Sequence, residues 1–528
     1  MADIVWWKHG VIYQVYPRSY QDTDGDGVGD LKGIRERLDY LSWLGIDAIW
    51  ISPIYPSPMI DFGYDVSNYC EVDPLFGSLA DLDQLVASAH QHGIRIILDF
   101  VPNHTSDYHP WFAESRVSCS NPRRDWYIWR SGKADGSPPN NWLSQFGGPA
   151  WTLDRTTGQY YLHSFLREQP DLNWRNPAVR TAMYDVMRFW LDRGVDGFRV
   201  DVIWLLIKDA RLRDNPPNVN YRPTDPGITR LLPVHSADQP ETHDVVAEMR
   251  AVLDQYEDRI LIGEIYLPIE RLVTYYGKDL SGAHLPFNFQ LIHTTWSAPA
   301  IATLVTEYES ALPAGGWPNW VLGNHDQPRI AARIGAAQAR IAAMLLLTLR
   351  GTPTIYYGDE LGIGKVSIPQ EATQDPWEKN EPGLGLGRDP SRTPFQWDAT
   401  ANAGFSDAQP WLPLDPLYKT RNVSVLRNDP LSILCLYHRL LSVRRQRAAL
   451  NGGSFHLIGT HGNALVYERA AGNERIVVCL NFGNMEQPLE LQAFGGATIL
   501  VSTHPDRRAL DPNLVLRPNE GLTILMAS

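Results

Sequence analysis

Short apolar segments alternate with longer stretches of helical periodicity along most of the chain. This alternation is typical of a parallel sheet whose faces are covered by helices. About eight strand–helix units follow one another, which predicts an α/β fold in which the strands close into a (β/α)8 barrel of the TIM type. The predicted strands are 11–17, 48–55, 95–101, 197–202, 260–265, 284–289, 319–324 and 352–358.

Two regions depart from this alternation. Residues 102–170 are rich in Trp, Pro, Asn and Gly, and they are too long for an ordinary connection, so a lobe (domain B) inserted after the third strand is expected. Near the end of the chain, short strands such as ALVYERA replace the helical periods, which predicts a C-terminal all-β sandwich domain. The predicted division is therefore 1–101 and 171–454 for the barrel, 102–170 for domain B and 455–528 for the C-terminal domain.

Composition narrows the class of partner. The chain has 47 basic and 60 acidic residues and a net charge of −13, a balance that repels phosphate backbones and anionic lipid. Neither nucleic acid nor a membrane surface is therefore an expected partner. The 18 Trp and 23 Tyr suit an ordered core and also the stacking of sugar rings.

The cysteines and the N-terminal segment indicate the cellular compartment in which the protein is expected. The four cysteines are scattered and form no CxxC pair, so free thiols are expected rather than a disulfide framework or a zinc site. The N-terminus shows no basic segment followed by an apolar one, and no uninterrupted apolar run reaches the ~20 residues of a membrane helix. A cytoplasmic location is the resulting expectation.

Four predicted strands end in acidic or imidazole side chains. DFVPNH ends in His104, GFRVD in Asp201, LIGEI contains Glu264, and LGNHD ends in Asp326. In (β/α)8 barrels the active site forms at these carboxyl-terminal strand ends. Carboxylates held close together raise one another's pKa, a cost that favours a chemical role over a structural one. Glycoside hydrolysis uses such a set: one carboxylate as nucleophile and one carboxylic acid as proton donor.

These four segments, with QPDLNW at 169–174, resemble in order the signature segments of the α-amylase family, glycoside hydrolase family 13. Within it, the α-glucosidase and oligo-1,6-glucosidase branch is most similar, and the resemblance spans nearly the whole chain. It implies that Asp201 is the nucleophile, Glu264 the general acid/base and Asp326 the transition-state stabiliser. The anomeric configuration would then be retained through a covalent glucosyl-enzyme.

The resemblance also implies a sugar-binding set. Arg199, on the same strand face as Asp201, would keep the nucleophile ionised. Asp65 and Arg392 would grip the terminal 4-hydroxyl and block the pocket behind a single glucose, which predicts exo-action. The full set is Tyr64, Asp65, His104, Phe146, Phe165, Gln169, Arg199, His325 and Arg392.

An acidic loop follows the first strand. Its acidic side chains alternate with glycines, a pattern of hard oxygen ligands that suits Ca²⁺. The loop is not an EF-hand, because Gly33 stands where the bidentate Glu belongs, but it resembles a structural metal loop of the oligo-1,6-glucosidase branch. A structural Ca²⁺ is expected, with Mg²⁺ or a solvated acidic turn as the alternatives. The expected ligands are Asp22, Asp24, Asp26, Val28 and Asp30.

The substrate class is expected to be a short α-glucoside or oligosaccharide, with α-1,4 bonds slightly favoured. Oligo-1,6-glucosidase and α-transglucosylase activities use the same core residues and stay open. Val202 tends to accompany α-1,6 action in this branch, but the following Ile-Trp-Leu-Leu departs from its usual Ile-Asn pattern. A non-catalytic binding subunit is the fourth alternative, and the three retained carboxylates argue against it. The oligomeric state is left open.

Overall fold

A computed structural model describes residues 5–489, 496–510 and 513–527. Its largest sheet has eight parallel strands, as predicted, each close to its predicted position. In chain order they are Ile12–Val15, Ala48–Ile51, Arg95–Phe100, Gly197–Val200, Ile260–Gly263, Leu285–Pro286, Asn319–Val321 and Thr352–Tyr356. The last strand pairs with the first, and a parallel bridge between Asn288 and Trp320 closes the remaining seam. The expected (β/α)8 barrel is confirmed.

Alternation along the strands separates two cores. Ile12 and Trp50 belong to a cluster inside the barrel, whereas Tyr13 and Ile49 belong to the larger core between the strands and the helices. Successive strand residues point to opposite faces, and both faces of these strands are buried. This explains why the strands are almost continuously apolar in sequence.

Helices surround the barrel, and local sequence sets their ends. Ser78 and Asp81 form a capping box at the start of helix Leu79–Gln91, and Asn176 caps a helix that begins at Pro177, both favourable N-terminal patterns. The α-helices are Trp6–His9, Leu31–Glu36, Leu38–Leu44, Leu79–Gln91, Pro110–Val117, Pro177–Asp192, Thr242–Leu253, Ile269–Leu272, Gln290–His293, Ala298–Ala311, Ile330–Thr348, Pro376–Asn380, Val423–Leu426, Ile433–Gln446 and Ala448–Asn451.

Helix Ile330–Thr348 contains the apolar segment IAAMLLLT. Its 19 residues and mean hydropathy of 1.5 would suffice, by length and composition, to cross a membrane, and 61% of that window is buried inside the protein. Core helices of soluble proteins have this same character.

Three smaller sheets lie outside the barrel among the described residues. Within 102–170, strands Trp129–Ser131, Trp151–Asp154 and Gln159–Leu162 form an antiparallel sheet with the last of them in the centre. After the barrel, an antiparallel sheet contains Ser454–His461, Ala464–Ala471, Glu474–Asn481, Gly521–Leu525 and Thr498–Ser502 in that spatial order. A short pair, Gln487–Pro488 and Val515–Leu516, accompanies it. Residues 490–495, 511–512 and 528 of the predicted C-terminal domain lie outside the described ranges.

Candidate active site

Four carboxylates gather at the carboxyl-terminal end of the barrel. Asp99 lies in the third strand, Asp201 follows the fourth, Glu264 follows the fifth, and Asp326 lies in the loop after the seventh. Asp201, Glu264 and Asp326 line one cavity of about 490 Å³. The barrel geometry therefore unites residues that are far apart in sequence, as their strand-end positions predicted.

Arg199 joins three of these carboxylates. Its Nη1 donates to Asp99 Oδ1 at 2.8 Å and to Asp201 Oδ1 at 2.7 Å, and its Nη2 lies 2.8 Å from Glu264 Oε2. We call these four residues the Arg199 cluster. Burial, partly offset by Arg199, raises the pKa of Asp201 and of Glu264, and repulsion from neighbouring carboxylates raises each further. Because one guanidinium serves three buried carboxylates, the cluster binds a proton more readily than an exposed carboxylate does.

The backbone of Val202 orients the Glu264 carboxyl group. Val202 N–H donates to Glu264 Oε2 at 2.9 Å, and Val202 itself has a φ of +36° and a ψ of +45°, a left-handed conformation that a β-branched residue rarely adopts. Oε2 is thus held by Arg199 and Val202. Among the described residues no hydrogen bond reaches Oε1, which leaves that oxygen free to carry a proton into the cavity.

Asp326 has a different electrostatic environment. Its Oδ1 accepts hydrogen bonds from Arg392 Nη2 at 2.8 Å and Arg388 Nη1 at 3.2 Å, and His325 Nε2 lies 3.1 Å from Oδ2. Burial alone would raise the pKa of Asp326, but His325 and the arginines outweigh it and lower that pKa. Asp326 therefore stays ionised.

The prediction that Asp65 and Arg392 together grip the terminal sugar is wrong. Asp65 is fully buried and accepts hydrogen bonds from Ser57 Oγ at 2.7 Å and from the N–H groups of residues 60 and 61 at 2.9 and 3.1 Å. It does not line the cavity. Burial raises the pKa of Asp65 to about 6. Arg392 instead donates to Asp326 and to the His325 carbonyl.

Asp61 and Arg388 form the contact that was assigned to Asp65 and Arg392. Arg388 Nη2 donates to Asp61 Oδ1 at 2.7 Å, and both side chains line the cavity. The reason is local: Phe62 and Gly63 have φ values of +50° and +105°, so the chain turns between Asp61, which faces the cavity, and Asp65, which faces back onto the turn. We call the following residues the Arg388 cluster: Asp61, Asp326, Asp375, Arg388 and Arg392.

Other predicted sugar-binding residues surround this contact. Tyr64, His104, Phe146 and Phe165 line the cavity. The Tyr64 ring stacks on His325 with centroids 5.3 Å apart.

Gln169 lies behind the Asp61 carboxylate. Its amide donates to Asp61 Oδ2 at 3.2 Å.

Gln14 Nε2 lies 2.8 Å from His325 Nδ1 and so orients that ring. Burial lowers the pKa of His325 below its ordinary value and that of His104 to about 4, so both rings are neutral at pH 7.

Several cavity residues were missed by sequence reasoning. Asp61 and Arg388 stand only four positions before the residues chosen in the same motifs. Six of the remainder come from the Pro- and Asn-rich segment 211–238, whose composition indicates a loop but not its position at the cavity. The remainder are Leu143, Gln145, Val202, Trp204, Leu205, Asn215, Ile228, Thr229, Leu231, Pro233, Ser236, Tyr266, His293, Gln327 and Trp377.

The acidic loop after the first strand brings together three of its predicted metal ligands. One carboxylate oxygen each from Asp22, Asp24 and Asp30 lies within 4.8 Å of the others. Asp26 is not part of this group, and its carboxylate accepts from Val28 N–H at 2.7 Å. Asp30 also caps helix Leu31–Glu36 by accepting from Gly33 N–H at 2.7 Å. Such an all-oxygen donor set suits a hard cation.

An eight-stranded barrel with buried carboxylates at its carboxyl-terminal mouth has the features of a glycoside hydrolase, since the pKa of Glu264 is raised while that of Asp326 is lowered. Residues 14–453 match the family described as alpha amylase, catalytic domain. The chain belongs to the α-amylase family, glycoside hydrolase family 13, as its signature segments indicated.

Individual relatives agree with this assignment. The chain is 43% identical to a probable alpha-glucosidase of Rhizobium meliloti (strain 1021), over 92% of this chain and 91% of the relative. It is 40% identical to an oligo-1,6-glucosidase of Parageobacillus thermoglucosidasius, over 90% of each. The crystal structure of an alpha-glucosyl transfer enzyme matches with a TM-score of 0.95 and 39% identity, covering 99% of this chain and 100% of that one.

Proposed function

We propose that this protein is a retaining exo-α-glucosidase that releases glucose from the non-reducing end of short α-glucosides. The observation that carries the proposal is the Arg199 cluster beside the ionised Asp326, in a cavity of about 490 Å³. A paired nucleophile and acid is what retaining hydrolysis requires. The alpha-glucosidase and oligo-1,6-glucosidase relatives support the same substrate class.

The residues divide the reaction between them. Asp201 attacks the anomeric carbon while Glu264 protonates the leaving glycosidic oxygen from Oε1, and a covalent glucosyl-enzyme results. Asp326 stabilises the positive charge that develops on the sugar ring. Glu264, now ionised, then takes a proton from water, and the water oxygen displaces Asp201. Two inversions leave the α configuration unchanged.

The Asp61–Arg388 pair supports exo-action. A carboxylate and a guanidinium held 2.7 Å apart can together hydrogen-bond neighbouring hydroxyls of one terminal sugar, which favours binding of a chain end over a chain interior. Glucose and maltose should be the first products from maltotriose. Rapid loss of iodine staining from starch, or maltotriose as the first product from a long maltooligosaccharide, would contradict exo-action. Anomeric NMR should show α-glucose released first, and initial β-glucose would contradict retention.

Transfer of the glucosyl group to an alcohol is a second candidate, favoured by the cavity wall next to Glu264. Val202 holds the Glu264 carboxyl, and the chain continues from there into Trp204 and Leu205, which line the cavity with Ile228 and Leu231. An apolar leaving-group side binds organic alcohols better than water. With 4-nitrophenyl α-glucoside, transfer would release more nitrophenol than glucose, and Trp204→Asn should bring the two amounts closer together.

Linkage preference is proposed as α-1,4 over α-1,6. Initial rates on maltose and isomaltose decide between the two, since both substrates deliver the same glucosyl group to Asp201. A higher kcat/KM for isomaltose would make the oligo-1,6-glucosidase alternative correct.

We also propose that the acidic loop holds a structural Ca²⁺ through Asp22, Asp24 and Asp30. Among the described residues, no salt bridge reaches any of these three carboxylates, so their mutual repulsion is relieved by no side-chain cation. Oxygen ligands from carboxylates and backbone are what Ca²⁺ prefers, and Mg²⁺ is the alternative occupant. The ion would stabilise the turn and take no part in the reaction.

A further inference from the structure

Lys208 is a buried cation directly behind the sugar-binding cavity. It is 2% exposed, and its Nζ lies 2.7 Å from Asp171 Oδ2 and donates to Asn103 Oδ1 at 2.7 Å. Burial lowers the pKa of Lys208, partly offset by Asp171. A buried ammonium is stable only when its hydrogen bonds are satisfied by such partners. The ammonium thus ties together the loop after the third barrel strand, the QPDLNW segment and the loop after the fourth strand.

These contacts determine which way the Asn103 amide faces. An ammonium can only donate hydrogen bonds, so the atom of Asn103 beside Lys208 must be the oxygen. The amide nitrogen therefore points the other way, 3.1 Å from His104 Nδ1 and 3.2 Å from Asp171 Oδ1. In a neutral His104 ring, Nδ1 must accept from this amide, and the ring proton must sit on Nε2.

Two groups contact the other side of the ring. His104 Nε2 lies 3.1 Å from the Tyr64 carbonyl oxygen, which can only accept, and 3.2 Å from Gln169 Nε2, which donates to Asp61. The Tyr64 carbonyl agrees with a proton on Nε2, and a backbone bridge to Asp171 holds the His104 main chain. Tyr64 and His104 both line the cavity.

We propose that Lys208 is a positioning residue for His104: its ammonium fixes the Asn103 amide, which in turn fixes the orientation of the His104 ring in the wall of the sugar-binding cavity. The inference rests on the proposed function, because it assumes that His104 contacts the bound sugar. Lys208 touches no reacting atom and acts only through Asn103 and Asp171.

The test measures kcat and KM separately with 4-nitrophenyl α-glucoside. Lys208→Met should raise KM about tenfold to a hundredfold, because a misplaced positioning group costs up to about a hundredfold, with a smaller change in kcat. It also leaves Asp171 buried without its cation and so lowers the melting temperature. Lys208→Met/Asp171→Asn removes both charges and should restore the melting temperature while KM stays high. A structural role alone would reduce the active fraction, and therefore kcat, at unchanged KM.

A second background tests whether the effect passes through His104. In His104→Ala, adding Lys208→Met should change kcat/KM by less than about twofold, because coupled residues are not additive. Arg116→Met is the matched control: Arg116 pairs with the buried Asp154 at 3.0 Å, away from the cavity. It should lower the melting temperature without changing KM.

Two outcomes would overturn the proposal. One is an unchanged KM in Lys208→Met/Asp171→Asn, and the other is the same loss from Lys208→Met with and without His104. If the Lys208 variants do not fold, Asn103→Asp serves instead, since it keeps an acceptor for Lys208 but replaces the donor to His104 Nδ1. An unchanged KM in folded Asn103→Asp also refutes the proposal. Failure of the wild-type protein to hydrolyse any α-glucoside would instead refute the proposed function.

Discussion

The Arg199 cluster and the Arg388 cluster each hold three carboxylates at the same cavity, but they differ in the number of guanidinium groups. Arg199 alone serves Asp99, Asp201 and Glu264, whereas Arg388 and Arg392 together serve the second set. The pKa values of Asp201 and Glu264 are raised, while that of Asp326 is lowered. The Arg199 cluster therefore favours proton exchange, whereas Asp326 in the Arg388 cluster keeps its negative charge.

This difference shows how one cavity contains both a proton donor and a carboxylate that stays ionised. Burial raises the pKa of every carboxylate, and the ratio of cations to carboxylates decides whether that increase survives. Asp61 shows the limit of this rule, because burial raises its pKa even beside Arg388.

The largest effect should come from removing the reacting groups of the Arg199 cluster. Asp201→Asn deletes the nucleophile and Glu264→Gln the proton donor, and each should lower kcat on maltose by about 10³-fold or more. Glu264→Gln should lose less on an aryl glucoside, whose leaving group needs little protonation. The measurement is steady-state kinetics on folded protein. Maltose turnover within tenfold of wild type in either variant would remove that residue from the mechanism.

Breaking the Arg388 cluster should cost less, and the cost should fall on terminal-sugar binding. Arg388→Met leaves Asp61 and Asp375 without their cation, at roughly 2–5 kcal/mol, which corresponds to about 30- to 4,000-fold in kcat/KM. Asp65→Asn is the comparison variant. It disturbs three hydrogen bonds to the turn and should lower the melting temperature, with less than about tenfold loss of kcat/KM. The opposite ranking of the two variants would restore Asp65 as the sugar-binding residue.

The acidic loop is a third set of three carboxylates, and no guanidinium pairs with it among the described residues. EDTA should lower the melting temperature by several degrees, since an ion at 100 times its Kd stabilises the fold by about 2.7 kcal/mol. Initial rates should change less than twofold, because the loop does not line the cavity. Asp24→Ala should remove the response to EDTA. A melting temperature insensitive to EDTA and to added Ca²⁺ and Mg²⁺ would refute the metal site.

The smallest expected effect is a dependence of stability on pH, with opposite sign in the two clusters. The folded-state pKa of Glu264 is raised from 4.5, so its favourable contribution is complete below that value and is lost as pH rises through the raised pKa. The melting temperature of Glu264→Gln, measured against that of the wild type, should therefore be higher at pH 8 than at pH 5, by roughly 1–3 °C.

Asp326 provides the matched control for that measurement. Its folded-state pKa is lowered, so its contribution is present above the ordinary value of 3.8 and is lost as pH falls. Asp326→Asn should lower the melting temperature at neutral pH. Shifts of the same sign in both variants would show that the two clusters do not differ in charge balance.

Regular structure could be predicted from the sequence more accurately than the loops that complete the site. All eight barrel strands were predicted, but several were extended too far, as with 48–55 against the observed Ala48–Ile51. The apolar run continues past the last ladder hydrogen bond into the loops at the cavity. Arg199 was placed beside Asp201 correctly because strand side chains alternate with a fixed period.

No such period exists in the turn that contains Asp61 and Asp65. The positive φ values at Phe62 and Gly63 decide which carboxylate faces the cavity. A phenylalanine in the sequence does not predict a positive φ. Arg388 was missed for the same reason, because it lies four residues before Arg392 in an irregular segment. Which cation pairs with which carboxylate across two loops depends on tertiary packing, and a sequence motif does not predict that packing.

The left-handed conformation of Val202 links the stability of the fold to the orientation of the proton donor. A β-branched residue at φ +36° stores roughly 1–3 kcal/mol of backbone strain, and the same N–H orients the Glu264 carboxyl. A substitution at Val202 therefore alters both the backbone strain next to the nucleophile and the orientation of the proton donor, so a change of activity at this position brings with it a change in the free energy of folding.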